Sequence, residues 1–287
     1  MIAILIAASP ASSADRDVWI ESRGIEIPAT LTMPDEPGGG RAALVVLAHG
    51  HGGTRHENGG FTDLAAMLGD VGIASIRVDF PGCGDSTEAF THNNITNMLQ
   101  DLEASLEFAL AQPDIDKGRV GIVGYSMGGR LAMLVLGDEP GYSAAVLWAP
   151  VAIDGHKPLF GVFGGEKRYE KLRRYALHHG SVLFKTPWGQ EQQLALRFFD
   201  ENERSMPLSA IARFRGHLLV LHGSADKVID QDNGRIASQA ALSTESAELH
   251  IISGAGHDLG FYAQDPDTRA LVLERTVAFF RDKLAAD

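Results

Sequence analysis

Residues 119–136 read RVGIVGYSMGGRLAMLVL, and this stretch decides the fold. Its first five residues are rich in β-branched side chains, which predicts a short buried strand. Its last eight contain good helix formers and no proline. Between them, GYSMG (124–128) matches the G-x-S-x-G pattern, which forms a nucleophile elbow where a strand precedes it and a helix follows. We therefore predict that Ser126 is a catalytic nucleophile at the carboxyl end of a strand.

The acid and the base that serve such a serine should follow it along the chain, acid first. An apolar strand, LLVL (218–221), leads into a loop that ends at Asp226, and a later strand, LHII (249–252), leads through a glycine loop to His257. We expect His257 to take the proton of Ser126. Asp226 would then fix the tautomer of the imidazole and stabilise the imidazolium.

Three other carboxylates lie near these two positions. Asp230 and Asp232 could replace Asp226 as the acid, but Asp226 is nearest to the end of its strand. Asp258, directly after His257, is expected to be a structural turn residue.

The oxyanion of an acyl-transfer reaction needs two backbone N–H donors. The amide of Met127 is one candidate, because it lies at the N-terminus of the predicted helix. The other should come from the loop after an early strand, and HGHGG (49–53) directly follows the strand ALVVLA (43–48). We expect the amide of His51 to be the second donor. The His51 side chain would face either the acyl pocket or solvent, and His49 would hydrogen-bond within the loop.

Five segments together carry a family resemblance: LAHGHGG (47–53), DFPGCGDS (79–86), GYSMGG (124–129), HGSAD (222–226) and GAGH (254–257). They resemble the α/β-hydrolase superfamily, and more closely its esterase branch that includes the bacterial feruloyl (cinnamoyl) esterases. The resemblance extends over about residues 17–285. It implies a serine carboxylic-ester hydrolase with a Ser-His-Asp triad. Cys83 stands where that family usually has histidine, in a turn that mainly supports the oxyanion loop.

The order of predicted elements agrees with a doubly wound, mostly parallel sheet of about eight strands. Residues 18–23 and 25–33 predict an antiparallel opening pair. Further strands are predicted to end at residues 48, 80, 123 and 148 and to resume at 218, with helices over about 61–71, 93–111 and 268–284. The α/β-hydrolase domain is expected to comprise residues 15–287.

The alternation of strands and helices stops between residues 151 and 207, after the sixth strand. A long insert at the carboxyl end of a strand is typical of a lid or cap above an active site. The insert is rich in aromatic residues, most of which are expected to form its own small core. Trp188, Phe198 and Phe199 are predicted to bind substrate.

Composition agrees with a globular enzyme, and the partner expected from the motifs and the resemblance is a small-molecule ester. Hydrophobic residues make up 45% of the 287 residues and charged residues 22%. A formal net charge of −12 argues against nucleic acid as a partner. A single cysteine, Cys83, cannot form an internal disulfide, and no cluster suggests a metal. We therefore expect no cofactor, no metal and no membrane span, and we leave a homodimer open.

The first 14 residues resemble the end of a secretory signal peptide, because an apolar run is followed by small residues. The apolar run is short, however, and no lysine or arginine precedes it. An ordinary apolar tail or edge strand is the alternative. A secreted or periplasmic location is slightly favoured over a cytoplasmic one.

Several activities agree with this set of residues. Hydrolysis of small or aromatic esters, of the feruloyl type, is favoured. A peptidase, a thioesterase or a lactonase could use the same residues. A non-catalytic binding module of the same fold is the alternative from another class, but such proteins typically lack a member of the triad. A dehalogenase or epoxide hydrolase would have aspartate in place of Ser126.

Overall fold

The computed structural model describes residues 13–35, 40–138, 141–263 and 265–286. The strands of this part are β1 (Ser13–Ser22), β2 (Ile25–Pro34), β3 (Ala42–Ala48), β4 (Ile73–Val78), β5 (Ile115–Tyr125), β6 (Tyr142–Trp148), β7 (Ser181–Lys185), β8 (Glu191–Ala195), β9 (His217–Gly223) and β10 (Ser246–Ile252). Eight of them form one sheet in the order β1-β2-β4-β3-β5-β6-β9-β10, and β7 pairs only with β8.

Six neighbouring strands of this sheet are parallel, namely β4, β3, β5, β6, β9 and β10, whereas β1 and β2 form an antiparallel edge. The predicted α/β-hydrolase fold, with about eight mostly parallel strands, is thus confirmed. The opening strand begins at Ser13, five residues earlier than its apolar pattern predicts. Its first half is polar but is held on the sheet by side-chain bonds: Thr30 and Thr32 donate to Asp17 and Asp15, at 2.6 Å each.

Helices cover both faces of the sheet. The α-helices of the described part of the chain, including those outside the sheet, are α1 (Gly60–Asp70), α2 (Ile95–Leu110), α3 (Met127–Asp138), α4 (Phe160–Phe163), α5 (Glu166–His179), α6 (Leu196–Arg204), α7 (Pro207–Ile211), α8 (Asp232–Ala240) and α9 (Pro266–Lys283). Buried apolar side chains of α2, α3 and α8 form the core on one face, and those of α1 and α9 form the core on the other. None of the described helices is both long and apolar enough to cross a membrane.

The parallel strands all end at the same edge of the sheet. Loops that follow β3, β5, β9 and β10 therefore meet there, which is where ligands bind in open α/β sheets. Those four loops carry the predicted oxyanion residue, nucleophile, acid and base. The predicted signal-peptide remnant lies mostly outside the described residues, and its last two residues belong to β1.

The predicted cap, residues 151–207, folds outside the central sheet as α4, α5, the β7–β8 hairpin and α6. Its own core is aromatic, with ring centroids 4.6 to 6.3 Å apart among Phe163, Tyr169, Phe184, Phe198 and Phe199. Because aromatic side chains bury a large apolar area each, five buried rings give this small unit a hydrophobic core of its own.

Arg130, in the first turn of α3, joins the cap to the sheet. Its fully buried guanidinium donates to the carbonyl oxygens of Val151 at 3.0 Å and of Ile153 and Gly155 at 2.8 Å each. It also donates to the hydroxyl of Ser205 at 2.7 Å. One side chain therefore holds the chain where the cap begins and where it ends.

Candidate active site

Ser126 lies in a strained turn between β5 and α3. Its φ of +54° is in the left-handed region, which is disfavoured for residues other than glycine. The turn is held because the Ser126 amide donates to the carbonyl oxygen of Trp148 at 2.9 Å. A Cβ at Gly124 would lie 2.4 Å from the Gly128 carbonyl oxygen, and one at Gly128 would lie 1.9 Å from that of Ala48. Both flanking positions of the motif thus require glycine.

The structure brings the three predicted triad residues together. Nε2 of His257 lies 2.9 Å from Oγ of Ser126, and Nδ1 of His257 lies 2.7 Å from Oδ2 of Asp226. The alternative acids, Asp230 and Asp232, are exposed, and Asp230 accepts the amide of Asp232 at the start of α8.

Asp226 is surrounded by hydrogen-bond donors. Oδ1 accepts the amides of Val228 and Ile229 at 2.8 Å each, while Oδ2 accepts from His257 and, at 3.1 Å, from Nε2 of His222. Burial alone would raise the pKa of Asp226, but the bonds from His222 and His257 outweigh burial and hold that pKa well below its usual range. The carboxylate is therefore charged in the folded protein at neutral pH. His222 was not among the residues predicted from sequence, although its place at the buried end of β9 was the available signal.

The loop after β3 lies directly against the serine. A Cβ at Gly50 would be 3.0 Å from the Tyr125 ring and 3.4 Å from Cβ of Ser126. His49 fixes this loop: its Nε2 accepts the amide of Phe80 at 3.0 Å, so its Nδ1 carries the proton and donates to the Gly50 carbonyl at 2.8 Å. Met127 is the first residue of α3, where amides have no partner within the helix.

The His51 side chain points to the cap. Its Nε2 donates to Oε1 of Gln192 in β8 at 2.7 Å, and its ring packs near Phe90, Phe163 and Phe198 at centroid distances of 5.3 to 6.4 Å. Burial lowers the pKa of His51 to about 4, so the ring is neutral at pH 7. The cap therefore contacts the predicted oxyanion loop through a neutral histidine.

A cavity of about 380 Å³ opens beside Ser126 and His257. Its lining residues are Gly50, His51, Gly52, Gly53, Glu57, Tyr125, Ser126, Val162, Trp188, Gln190, Val228, His257, Asp258 and Tyr262. Val162, Trp188 and Gln190 come from the cap, so the cap forms part of the cavity wall.

The three predicted substrate-binding residues lie in different places. Trp188 lines the cavity and is half-exposed. Phe198 and Phe199 are fully buried in the aromatic core of the cap and are not among the lining residues. The expectation that all three face substrate needs correction here, because hydrophobicity indicates burial but not which side of a small core a ring occupies.

Cys83 is buried in the turn after β4, where Nδ2 of Asn93 lies 3.7 Å from its sulfur. Burial raises the pKa of the thiol to about 12, which keeps it protonated at neutral pH. Among the described residues, no three His, Cys, Asp or Glu side chains are grouped in a way that could hold a metal ion.

Comparison with known families agrees with this fold. A model of the alpha/beta hydrolase family matches residues 45–270, which include Ser126, the predicted oxyanion loop, Asp226 and His257. The chain belongs to the alpha/beta hydrolase family. This confirms the superfamily resemblance drawn from the five sequence segments.

Individual relatives are distant. A Yersinia pestis protein provisionally named carboxymethylenebutenolidase is 26% identical over 177 residues, which is 52% of this chain and 64% of that protein. The matched part is thus less than two thirds of that relative.

Among solved structures, Est1E of Butyrivibrio proteoclasticus with bound ferulic acid superposes with a TM-score of 0.76 at 18% identity, covering 94% of this chain and all of that one. Acylaminoacyl peptidase of Pyrococcus horikoshii gives 0.72 at 16% identity, covering 96% of this chain and 42% of that one. At these identities the likeness concerns the fold.

Proposed function

We propose that this protein is a serine carboxylic-ester hydrolase that acts through Ser126, His257 and Asp226. One observation carries the proposal: the hydroxyl, the imidazole and the buried carboxylate form a continuous chain of 2.9 and 2.7 Å contacts at the edge of a cavity. Side chains 131 and 31 residues apart along the chain come into this order only because the strand ends converge. Membership of a hydrolase family supports the same reading.

The reaction follows from these contacts. His257 takes the proton of the Ser126 hydroxyl as its oxygen attacks the ester carbonyl, and the amides of His51 and Met127 stabilise the oxyanion. The protonated imidazole, stabilised by Asp226, then gives its proton to the departing alcohol and leaves an acyl-enzyme. Water, deprotonated by His257, attacks the acyl-enzyme, and His257 returns that proton to Oγ of Ser126 as the carboxylic acid leaves. No metal or cofactor enters these steps.

The substrate class we propose is a small or aromatic ester. A cavity of about 380 Å³ is at the lower end of the range for small-molecule sites and suits an acyl or alcohol group of about the size of one substituted ring. The aromatic lining from Tyr125, Trp188 and Tyr262 also favours an apolar or aromatic group. The ferulic acid bound by the similarly folded Est1E is in keeping with such a group.

A pre-steady-state burst with p-nitrophenyl butyrate tests the proposal. We expect one equivalent of p-nitrophenol per enzyme before steady turnover, and labelling of Ser126 by a fluorophosphonate. Ser126→Ala should abolish both, and Asp226→Asn should lower kcat by about 10⁴-fold, because it favours the wrong imidazole tautomer. Asp230→Asn and Asp232→Asn serve as matched controls. Labelling of a different serine, or a fully active Ser126→Ala enzyme, would refute the assignment.

A lactonase is the second candidate, because a lactone is an internal ester and the Yersinia relative is named for a butenolide. The same serine would open the ring and no alcohol would leave the site. The similarity of fold to an acylaminoacyl peptidase makes amide hydrolysis a further alternative. Comparing kcat/KM for p-nitrophenyl butyrate, a simple butenolide and an N-acyl p-nitroanilide distinguishes the three.

A further inference from the structure

A buried carboxyl group without a cation lies in the wall of the cavity. Glu57 is 2% exposed, and its carboxylate accepts the amide of Gly50 and the hydroxyl of Tyr262, at 2.8 Å each. Within the described residues no lysine, arginine or histidine forms an ion pair with it. A buried charge that lacks an opposite charge is costly, so such groups are retained mainly where they act on a ligand or a reaction.

The backbone at Glu57 is strained in a way that directs this carboxyl inward. Glu57 and Asn58 have φ values of +42° and +49°, both in the region that favours glycine. The turn is held because Nδ2 of Asn58 donates to the Phe261 carbonyl at 2.6 Å. Strained residues of this kind concentrate at functional sites.

The cavity beside this carboxyl is acidic and aromatic. Asp258 supplies a second carboxylate, whose Oδ2 accepts the amides of Tyr262 and Ala263. The described lining residues include no lysine or arginine, and His51 is neutral. Three aromatic rings, those of Tyr125, Trp188 and Tyr262, complete the lining. Aromatic faces together with carboxylates are the surroundings that bind ammonium groups in proteins.

We propose that Glu57 and Tyr262 form a subsite for a cationic arm of the substrate, an ammonium group, and that the same subsite excludes a carboxylate. This inference deepens the proposed ester hydrolysis and rests on it. The path from the subsite to the nucleophile is short: Glu57 binds the amide of Gly50, and Gly50 packs against Ser126. A net charge of −12 also attracts cations to the molecule and repels anions.

The subsite should depend on pH. Burial raises the pKa of Glu57 to about 7, although the bonds from Gly50 and Tyr262 oppose the rise. The other titratable groups that act on it, or on which it acts, are Tyr125, Tyr262 and Cys83, and all three stay protonated near neutral pH because burial raises their pKa. The preference for a cation should therefore grow between pH 6 and pH 8, as Glu57 ionises.

Two pairs of isosteric esters test this. Butyrylcholine is compared with 3,3-dimethylbutyl butyrate for the alcohol arm, and ethyl 4-(trimethylammonio)butyrate with ethyl 5,5-dimethylhexanoate for the acyl arm. Members of a pair differ in charge and hardly in shape. The ratio of their kcat/KM values cancels the ionisation of His257, which both substrates share. For at least one pair we expect the cationic ester to be preferred at pH 8 by about fivefold or more, and the preference to decline towards pH 6.

The variants make the inference specific. Glu57→Gln keeps an acceptor for Gly50 and should give a ratio that is lower and independent of pH. Tyr262→Phe keeps the ring but removes the hydroxyl that lowers the pKa of Glu57, so the pH midpoint of the ratio should move upward; this variant suffices if Glu57→Gln does not fold. Asp70→Asn makes the same change of net charge on the exposed end of α1 and should behave as the wild type.

Failure of the inference and failure of the proposed function give different results. Suppose that the neutral esters are turned over and that, at pH 8, the kcat/KM values of the cationic and neutral members differ by less than twofold in both pairs. This result overturns the cationic subsite but leaves the proposed hydrolase activity intact. If no ester is turned over, the proposed function fails, and calorimetric titration of Ser126→Ala with each member of the pairs decides the subsite. Tighter binding of a cationic member, lost in the Ser126→Ala/Glu57→Gln double variant, supports it; equal binding refutes it.

Discussion

Nε2 of His222 lies 3.1 Å from Oδ2 of Asp226, the same oxygen that accepts from His257. Nε2 of His222 also lies 3.0 Å from the Ile229 carbonyl oxygen, which can only accept, so this nitrogen carries a proton. His222 is therefore a donor that helps to keep Asp226 ionised and fixed in position. It forms no hydrogen bond with Ser126 and is not among the residues that line the cavity.

His222→Phe should lower kcat/KM by about tenfold, because a hydrogen bond to a charged group contributes roughly 1.5 to 3 kcal/mol. His222→Gln, which can keep an N–H donor near the same place, should recover most of the loss. The check is steady-state hydrolysis of p-nitrophenyl butyrate, with circular dichroism to show that both variants fold. If the two variants lose activity equally, His222 acts through packing and not through its donor.

Arg130→Met should destabilise the protein by about 3 kcal/mol or more, because it leaves buried carbonyl groups without a donor. Burial lowers the pKa of Arg130 to about 10, so the native guanidinium is still charged at neutral pH. Urea unfolding measures the change. Arg235→Met is the matched control: that guanidinium is half-exposed and lies 3.9 Å from Asp232, so its loss should cost at most about 1 kcal/mol.

Glu57 should make the folded protein less stable as pH rises. Its pKa is about 7 in the folded state against an ordinary value of 4.5, so the folded state retains a proton that the unfolded chain releases between those values. From pH 5 to pH 8 this linkage removes roughly 2 to 3 kcal/mol from the free energy of unfolding. Glu57→Gln should lack this loss and gain stability relative to the wild type over the same range. Chemical denaturation at both pH values, with Asp70→Asn as control, measures it; parallel curves for wild type and Glu57→Gln would refute the raised pKa.

Cap substitutions should separate specificity from stability. Trp188→Ala removes a half-exposed ring from the cavity wall and should lower kcat/KM for methyl ferulate by about tenfold relative to p-nitrophenyl acetate, which is too small to need that ring. Phe199→Ala should leave the ratio nearly unchanged but cost about 3 to 5 kcal/mol of stability, because its ring is fully buried. A change in the ratio for Phe199→Ala equal to that for Trp188→Ala would show that both rings contact substrate.

The meeting of Ser126, Asp226 and His257 could be foreseen because each follows an apolar strand, and parallel strands present their carboxyl ends at one edge. The inward position of Glu57 could not. It lies in a polar loop, RHENGG (55–60), where a charged residue is expected to be solvated. Its burial depends on two left-handed residues and on Tyr262, which is 205 positions away in sequence. Periodicity does not report such long-range contacts.

Long-range contacts also decide the surroundings of charged and aromatic side chains in the cap and where the cap joins the sheet, and sequence periodicity does not predict them. Arg130 follows the elbow in a stretch of helix formers, and nothing local distinguishes a solvated arginine from one enclosed by carbonyl groups. Phe198 and Phe199 were predicted to bind substrate, but the packing of five rings places them in the buried core of the cap and not among the residues that line the cavity.

Most of the acceptors around Arg130 are main-chain carbonyls, those of Val151, Ile153 and Gly155 among them. Every residue type has such a carbonyl, so this attachment depends on the backbone path of the insert and little on the side chains of the insert. An unrelated insert of similar entry and exit geometry could be received at the same place. The cap is in this sense an exchangeable module. Arg130 is the attachment point that would allow one α/β-hydrolase sheet to be combined with caps of different substrate specificity.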